Sequence, residues 1–181
     1  MKTVQMWRNE TYPEELISCL SQTIKTVGRD NYTLLCNNQS LADILEVESL
    51  NFDKEYYRIL AKIDNPRWWR DYCTMNMYRA DMIRLYYAKE TPDLFYLDAD
   101  ISLYSLPDFT NPDLPYLVDG DFCMFYVNGR TDWFNQILDD VLKTTAKPMA
   151  IYNYLMKHKY PSCRIKPSCY DRKDFGTKWK I

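Results

Sequence analysis

Phe95-Tyr96-Leu97-Asp98-Ala99-Asp100, running on into Ile101-Ser102-Leu103-Tyr104, is the stretch on which the reading of this chain turns. Three apolar residues lead directly into two carboxylates at i and i+2, the pattern of a buried strand that surfaces at the edge of a sheet. In an extended chain alternate side chains share a face, so Asp98 and Asp100 point one way and Ala99 into the opposite layer. Carboxylates placed side by side raise each other's pKa, and ionising both is costly unless a cation stands between them. A divalent metal resolves that cost. The spacing by itself is weak: with 18 aspartates in the chain, about two Asp-x-Asp pairs arise by chance. Asp119-Gly120-Asp121 is another. Only the first pair closes an apolar run, and open α/β sheets bind ligands at the carboxyl ends of their strands. The bland alternative for Asp98 and Asp100 is a solvated loop after a core strand.

With 181 residues, the expectation is one domain over 1–181 that buries about 70% of the surface its unfolded chain exposes. Twenty-three basic side chains against 25 acidic ones argue against a nucleic acid or an anionic membrane as the main partner. No early stretch is apolar enough for a signal peptide, and none approaches about 20 consecutive apolar residues. A cytoplasmic protein without a transmembrane segment is therefore expected. The six cysteines, at 19, 36, 73, 123, 163 and 169, form no CxxC pair, and the chain has one histidine. That count argues against a zinc site, and most of the thiols read as small apolar core residues of a reducing compartment. His158, in Met156-Lys157-His158-Lys159, reads as the basic last turn of a helix rather than the base of a cysteine nucleophile.

Outward from the aspartates, the elements alternate. Lys2 to Trp7 predicts a first strand. Pro13-Glu14-Glu15 opens a helix in the way the helix dipole favours, with Leu16, Ile17, Leu20, Ile24 and Val27 at helical spacing and Gly28 as its stop. Tyr32 to Cys36 predicts a second strand. Strand, helix and strand of these lengths form a parallel βαβ unit, an arrangement often used to hold nucleotides. Ser40 and Asp53 are the expected caps of helices over 41–45 and onward to Ile63, and Asn65-Pro66 breaks the pattern. Arg67-Trp68-Trp69-Arg70 fits either the next helix or an aromatic lid.

A helix from Thr74 to Ala88 places Met77, Ala80, Asp81, Arg84 and Ala88 on one sector and Arg79 opposite, with Met82 and Tyr86. Asp81 and Arg84 are neighbours at i and i+3. The helix leads through Thr91-Pro92 into the aspartate strand, so this pair is expected either as an exposed ion pair or in the same cleft as Asp98 and Asp100. Prolines 107, 112 and 115 predict a loop. Asp121 to Val127 predicts a returning strand ended by an Asn128-Gly129 turn. Helices are expected from Thr131 or Asp132 to Leu142 and over 149–158. The whole reads as a single α/β domain.

Arg79-Ala80-Asp81-Met82-Ile83-Arg84-Leu85, followed about ten residues later by Tyr96-Leu97-Asp98-Ala99-Asp100, resembles the DXD-containing sugar transferases: glycogenin-like enzymes, yeast-type mannosyltransferases and glucosylating toxins. The resemblance implies a GT-A fold with a mixed, mostly parallel central sheet flanked by helices. It also implies a nucleotide-sugar donor, most often a UDP-sugar, a divalent metal, manganese or magnesium, and retention of anomeric configuration. Val4-Gln5-Met6-Trp7-Arg8 resembles the first strand of the toxin-like members, which implies that Trp7 stacks on uracil; the alternative is a core or surface aromatic. Asp174-Phe175-Gly176-Thr177-Lys178-Trp179 resembles a compressed HFxGxxKPW ending. That implies a third metal ligand at Asp174, in place of histidine, and diphosphate contacts from Gly176 and Lys178. This ending is shorter than the family's and lacks its proline. The Gly-Gly common before the strand in mannosyltransferase-like members is absent, and so is an acidic-amide pair around Ala150 to Asn153.

On this resemblance Asp98 and Asp100 hold the metal, Arg84 and Lys178 meet phosphate or sugar oxygens, and Asp81 binds a sugar or ribose hydroxyl. The acceptor stays open among a glycan, a lipid-linked glycan, a protein and a modified base. A nucleotidyltransferase or phosphoesterase using the same carboxylates, or a non-catalytic sugar-binding domain, are the rival readings.

Overall fold

Lys2–Trp7 forms the first strand, β1, and every residue from Thr3 onward is buried although polar and apolar side chains alternate along it. Alternation here marks two buried layers rather than one wet face. The computed structural model describes residues 1–62, 76–111, 113–118, 121–128 and 163–175. The expected helices over 131–142 and 149–158, the Asn65-Pro66 break, Arg67 to Arg70, Cys73, Gly129 and His158 lie outside the described residues.

Helix α1, Glu14–Val27, follows with two acids in its first turn and stops at Gly28 as expected. Gly28 has a φ of +83° and donates its N–H to the Ile24 carbonyl at 2.8 Å, a conformation that strains residues carrying a Cβ. Strand β2, Tyr32–Cys36, pairs parallel to β1 with Tyr32 opposite Thr3, completing the predicted βαβ unit.

Two helix caps differ from expectation. Asn38, not Ser40, caps α2 (Gln39–Leu45) by accepting the Leu41 N–H at 3.1 Å, and Asn51, not Asp53, caps α3 (Phe52–Leu60) by accepting the Lys54 N–H at 2.9 Å. Asn is as good a cap as Ser or Asp, so neighbouring candidates are indistinguishable by type alone. Asp53 is thereby left for an ion pair described below. Asn51→Ala is expected to cost about 1 kcal/mol of stability, measurable by urea denaturation. Between the two helices Glu48–Leu50 forms β3, a short strand that the sequence reading did not contain, parallel to β2.

Helix α4, Asn76–Glu90, buries Met82, Ile83, Leu85, Tyr86, Tyr87 and Ala88, almost all the way round instead of along one sector. It lies between the sheet and α3, and both neighbours take up apolar surface. It delivers the chain to β4, Leu94–Asp98. Beyond a two-residue turn come β5 (Ile101–Leu103), β6 (Tyr116–Val118, within the proline-rich stretch expected to be a loop) and β7 (Asp121–Val127). The tail contributes β8 (Cys163–Arg164) and β9 (Tyr170–Arg172).

Among the described residues seven strands form one sheet in the order β3-β2-β1-β4-β7-β6-β8. The β3, β2, β1, β4 half is parallel, β7 runs antiparallel to both β4 and β6, and β8 is parallel to β6. Period-two alternation sorts the two faces. Val4, Met6, Leu35, Tyr96 and Phe125 face α3 and α4. Trp7, Leu34, Phe95, Leu97 and Ala99 face α1 and α2. Because β1 has parallel neighbours β2 and β4 on its two sides, the strand order reverses there, and the carboxyl ends of β1 and β4 flank the crevice where such sheets bind ligands.

Strands β5 and β9 form a separate antiparallel ribbon with Ile101 opposite Arg172. The other edge of β5 is satisfied by side chains of α1. Thr23 Oγ1 donates to the Ile101 carbonyl at 3.2 Å and accepts the Leu103 N–H at 3.1 Å, and Thr26 Oγ1 donates to the Leu103 carbonyl at 2.6 Å. This ribbon brings the tail of the chain back to the aspartate turn.

Candidate active site

Asp98 is the last residue of β4, opposite Met6 of β1, and Ala99-Asp100 turn the chain into β5. Ala99 is buried in the α1 layer while the two aspartates are partly accessible, which is the alternation expected from the spacing. The turn is held from beneath. Gln5 Nε2 donates to the carbonyls of Asp98 at 2.9 Å and Ile101 at 3.0 Å, and Gln5 Oε1 accepts the Tyr32 hydroxyl at 3.0 Å. Cys19 Sγ donates to the Ala99 carbonyl at 3.3 Å, and the Lys173 N–H reaches the Asp100 carbonyl at 2.8 Å. A fully buried glutamine in a central strand costs free energy unless its amide is bonded, and here the amide fixes the turn that carries both carboxylates.

The carboxylates sit in a layered set of charges. The Tyr96 hydroxyl, two residues back on the same face, donates to Asp98 Oδ1 at 2.6 Å, and its ring stacks on Phe125. Arg84 of α4 pairs with Asp81, lies 3.6 Å from Asp98 Oδ1, and places its guanidinium 5.5 Å from the centre of the Tyr96 ring. The expected neighbourhood of Asp81 and Arg84 with Asp98 is therefore present, and the Asp81–Arg84 pair is mostly shielded rather than exposed. From the outer side Arg172 of β9 bonds Asp100 Oδ2 through Nε at 2.9 Å and brings Nη2 to 4.0 Å from Asp98 Oδ2. Burial pushes the Asp98 carboxyl up to about 6, against Arg84, the Tyr96 hydroxyl and Arg172, which favour its charged form, while Asp100 adds to the rise.

Other expected residues are placed as follows. Trp7 ends β1 in the α1 layer, 5% exposed, with its indole N–H on the Thr11 carbonyl at 3.1 Å and its ring edge-on to Phe175 at 6.2 Å. Asp174 is exposed and lines a cleft of about 830 Å³ with Cys19, Gln22, Tyr104 and Lys173. Among the described residues no group of three or more His, Cys, Asp and Glu side chains is arranged to hold a metal, so Asp174 is not brought together with Asp98 and Asp100. Gly176 and Lys178 lie outside the described residues. The free cysteines Cys19, Cys36, Cys123 and Cys169 are buried, as their reading as core residues requires.

Several residues at the crevice escaped the sequence reading. Arg8, just past β1, pairs with Asp53 at 3.2 Å, Arg79 reaches the same carboxylate at 3.5 Å, and Asn37 donates to it at 2.8 Å. Arg172 gave a signal only as part of the charged run Asp171-Arg172-Lys173-Asp174, and such a run usually marks a solvated face.

No protein-family model and no curated protein matches the chain. Among solved structures, the PaToxG glycosyltransferase aligns with a TM-score of 0.61 at 18% identity, covering 87% of this chain and 69% of its own. An active-site mutant of LgtC aligns with a TM-score of 0.51 at 10% identity, covering 91% and 72%. The fold is that of GT-A glycosyltransferases. A further structure of LgtC, a galactosyltransferase in complex with donor and acceptor sugar analogs, aligns with a TM-score of 0.46 at 11% identity, covering 91% and 73%. On a GT-A fold the mixed, mostly parallel sheet and its flanking helices correspond to the architecture expected from the sequence. Among the described residues no helix is long and apolar enough to cross a membrane.

The donor set at the end of β4 fits a hard divalent cation. Asp100 Oδ1 is buried without a hydrogen-bond partner among the described residues, an arrangement that costs free energy in a metal-free protein. Carboxylate oxygens are the ligands that magnesium and manganese prefer.

Proposed function

We propose that this chain is a metal-dependent glycosyltransferase that moves a sugar from a nucleotide sugar, a UDP-sugar in the first instance, to an acceptor with retention of configuration. The observation that carries the reading is the pairing of Asp98 with Asp100 at the sheet's reversal point, one oxygen of Asp100 buried and unsatisfied among the described residues. The GT-A fold adds support.

In this reading Asp98 and Asp100 hold manganese or magnesium. The ion supplies stabilisation of the negative charge that gathers on the diphosphate as the glycosyl–phosphate bond breaks. Asp98 is held by Tyr96 and Arg84 so that Oδ2 is its outward-facing oxygen. Arg84 offsets negative charge beside Asp81 and Asp98 and, with Lys178 and Gly176, meets phosphate or sugar oxygens. Asp81 binds a sugar or ribose hydroxyl. Trp7, at the end of β1, is assigned to the base of the donor, and Asp174, which lines the cleft beside Phe175 apart from the two aspartates, is not assigned to the ion. A retaining reaction in which the departing phosphate takes the acceptor's proton needs no separate general base, and none is assigned. The acceptor belongs to one of four classes: glycan, lipid-linked glycan, protein or modified base.

Manganese and a UDP-sugar together are expected to raise the melting temperature by about 5–10 °C at saturating concentrations, more than the sum of their separate effects. A panel of nucleotide sugars in a thermal-shift assay, followed by product analysis, tests this. Release of UDP supports the proposal, and release of pyrophosphate gives the nucleotidyltransferase reading instead. Sugar binding that survives chelation, with no turnover of any donor, makes the chain a binding domain.

A further inference from the structure

We propose that Arg8 binds a phosphate of the nucleotide-sugar donor and that Asp53 is the residue that positions it. The inference rests on the glycosyltransferase reading above and assigns two residues outside it.

Arg8 stands just past the end of β1, the strand that flanks the crevice opposite β4. Met6 is paired with Asp98 and Arg8 follows two residues later, so about 8 Å separates its backbone from that of Asp98. Both side chains lie on one face of the sheet, because Asp98 is met by Arg84 of α4 and Arg8 by Asp53 of α3, the helices that cover that face. A ligand of nucleotide length that is held at the aspartates and extends over β1 passes Arg8.

Only one edge of the Arg8 guanidinium is used. Nε donates to Asp53 Oδ1 at 3.2 Å, and among the described residues Nη1 and Nη2 have no acceptor. The side chain is 23% exposed and neither nitrogen is a buried orphan, so a ligand in the crevice can reach both. A planar fork pinned at one edge and open at the other offers paired donors and no acceptor, which suits a phosphate above all. Sugar hydroxyls and the uracil ring, which bring donors of their own, suit it less.

The anchor is itself held. Asn37, just past β2, donates from Nδ2 to Asp53 Oδ2 at 2.8 Å and accepts the Asp53 N–H on Oδ1 at 3.2 Å. Arg79 of α4 adds a contact of 3.5 Å to the carboxylate oxygen that Arg8 uses. This clasp joins the ends of β1 and β2 to the first turn of α3. Arg8 is thereby oriented before the donor arrives, and binding gives up less side-chain entropy.

The test is calorimetric titration of UDP and GDP, each alongside its nucleoside, in saturating Mg²⁺ for wild type, Arg8→Gln, Arg8→Lys, Asp53→Asn and the double variant Arg8→Gln/Asp53→Asn. Arg8→Gln is expected to weaken the nucleoside diphosphate that wild type prefers about tenfold and to leave the matching nucleoside within about twofold. Its melting temperature stays close to that of wild type, because a partly exposed ion pair contributes little. Arg8→Lys falls between the two, with the charge kept and the fork lost. Asp53→Asn is expected to cost about threefold when Arg8 is present and nothing in the Arg8→Gln background, a non-additivity that a merely structural role does not produce. Equal nucleotide affinity in wild type and Arg8→Gln overturns this inference and leaves the proposed function standing. An equal loss for nucleotide and nucleoside puts Arg8 against the base or ribose and overturns it too, and additive losses in the double variant remove the positioning role of Asp53. If wild type binds neither nucleotide, the proposed function falls and this inference with it.

Discussion

Asp100→Ala is expected to lower kcat/KM for sugar transfer, and for hydrolysis of the donor in the absence of acceptor, by about 10³-fold or more. The same variant is expected to fold and to melt at an unchanged or higher temperature when no metal is present. Both expectations come from one atom. Asp100 Oδ1 is buried and unpartnered among the described residues, a state that costs about 1–3 kcal/mol. Removing the carboxyl removes that cost. The ion pair lost with it involves Arg172, which is half exposed and contributes little. The backbone of the turn does not depend on the Asp100 side chain, because Gln5, Cys19 and the Lys173 N–H hold it through main-chain carbonyls. Activity lost alongside stability kept or gained is the signature of a group retained for function. Kinetic assays on a UDP-sugar together with metal-free thermal melts check it. Intact transfer and hydrolysis in Asp100→Ala would remove the ground for the proposed function.

How far such a site is legible before folding depends on the kind of contact. Strands β1, β2 and β7 and helix α1 fall at the expected residues because their period is local and their ends are marked by Pro13, Gly28 and Asn37. The Asp98–Asp100 turn was legible because an apolar run ends there. Arg172 was not. It lies 72 residues beyond Asp100, on a three-residue strand whose pairing with β5 no periodicity announces, since strands that short carry too few alternations to be read. Gln5 hid for a different reason: a polar residue in an alternating strand reads as solvent-facing, yet both faces of β1 are covered and its amide is spent on the turn. Arg8 and Asp53 likewise meet across 45 residues, and Asp53 reads as a helix cap until Asn51 is seen to do that work. What the sequence conceals is the set of partners that hold the carboxylates.

Arg84 is where that concealed support has its largest expected effect on stability. Arg84→Met removes the guanidinium of α4 that, among the described residues, faces both Asp81 and Asp98, and with it the placement of that guanidinium over the Tyr96 ring. Removing one partner of a shielded ion pair strands the other charges, and costs of about 3–5 kcal/mol follow in fully buried cases. The carboxylates here are 17% and 27% exposed, so the low end, about 3 kcal/mol, is expected. Pairing the substitution with Asp81→Asn is expected to recover part of that loss, since the stranded charge goes with it. The effect also depends on pH in a fixed direction. Asp98 already sits near 6 because burial disfavours its charge, and Arg84 is the strongest influence against that rise. Without Arg84 the folded-state value climbs further above the unfolded one. Between those two values the folded protein then binds more protons than the unfolded chain, so stability falls as pH rises through the window. The deficit of Arg84→Met relative to wild type is therefore expected to be smaller at pH 5 than at pH 8, as read by urea denaturation at both. A deficit that is equal at the two pH values would mean that Arg84 acts through packing alone and not through the charge of Asp98.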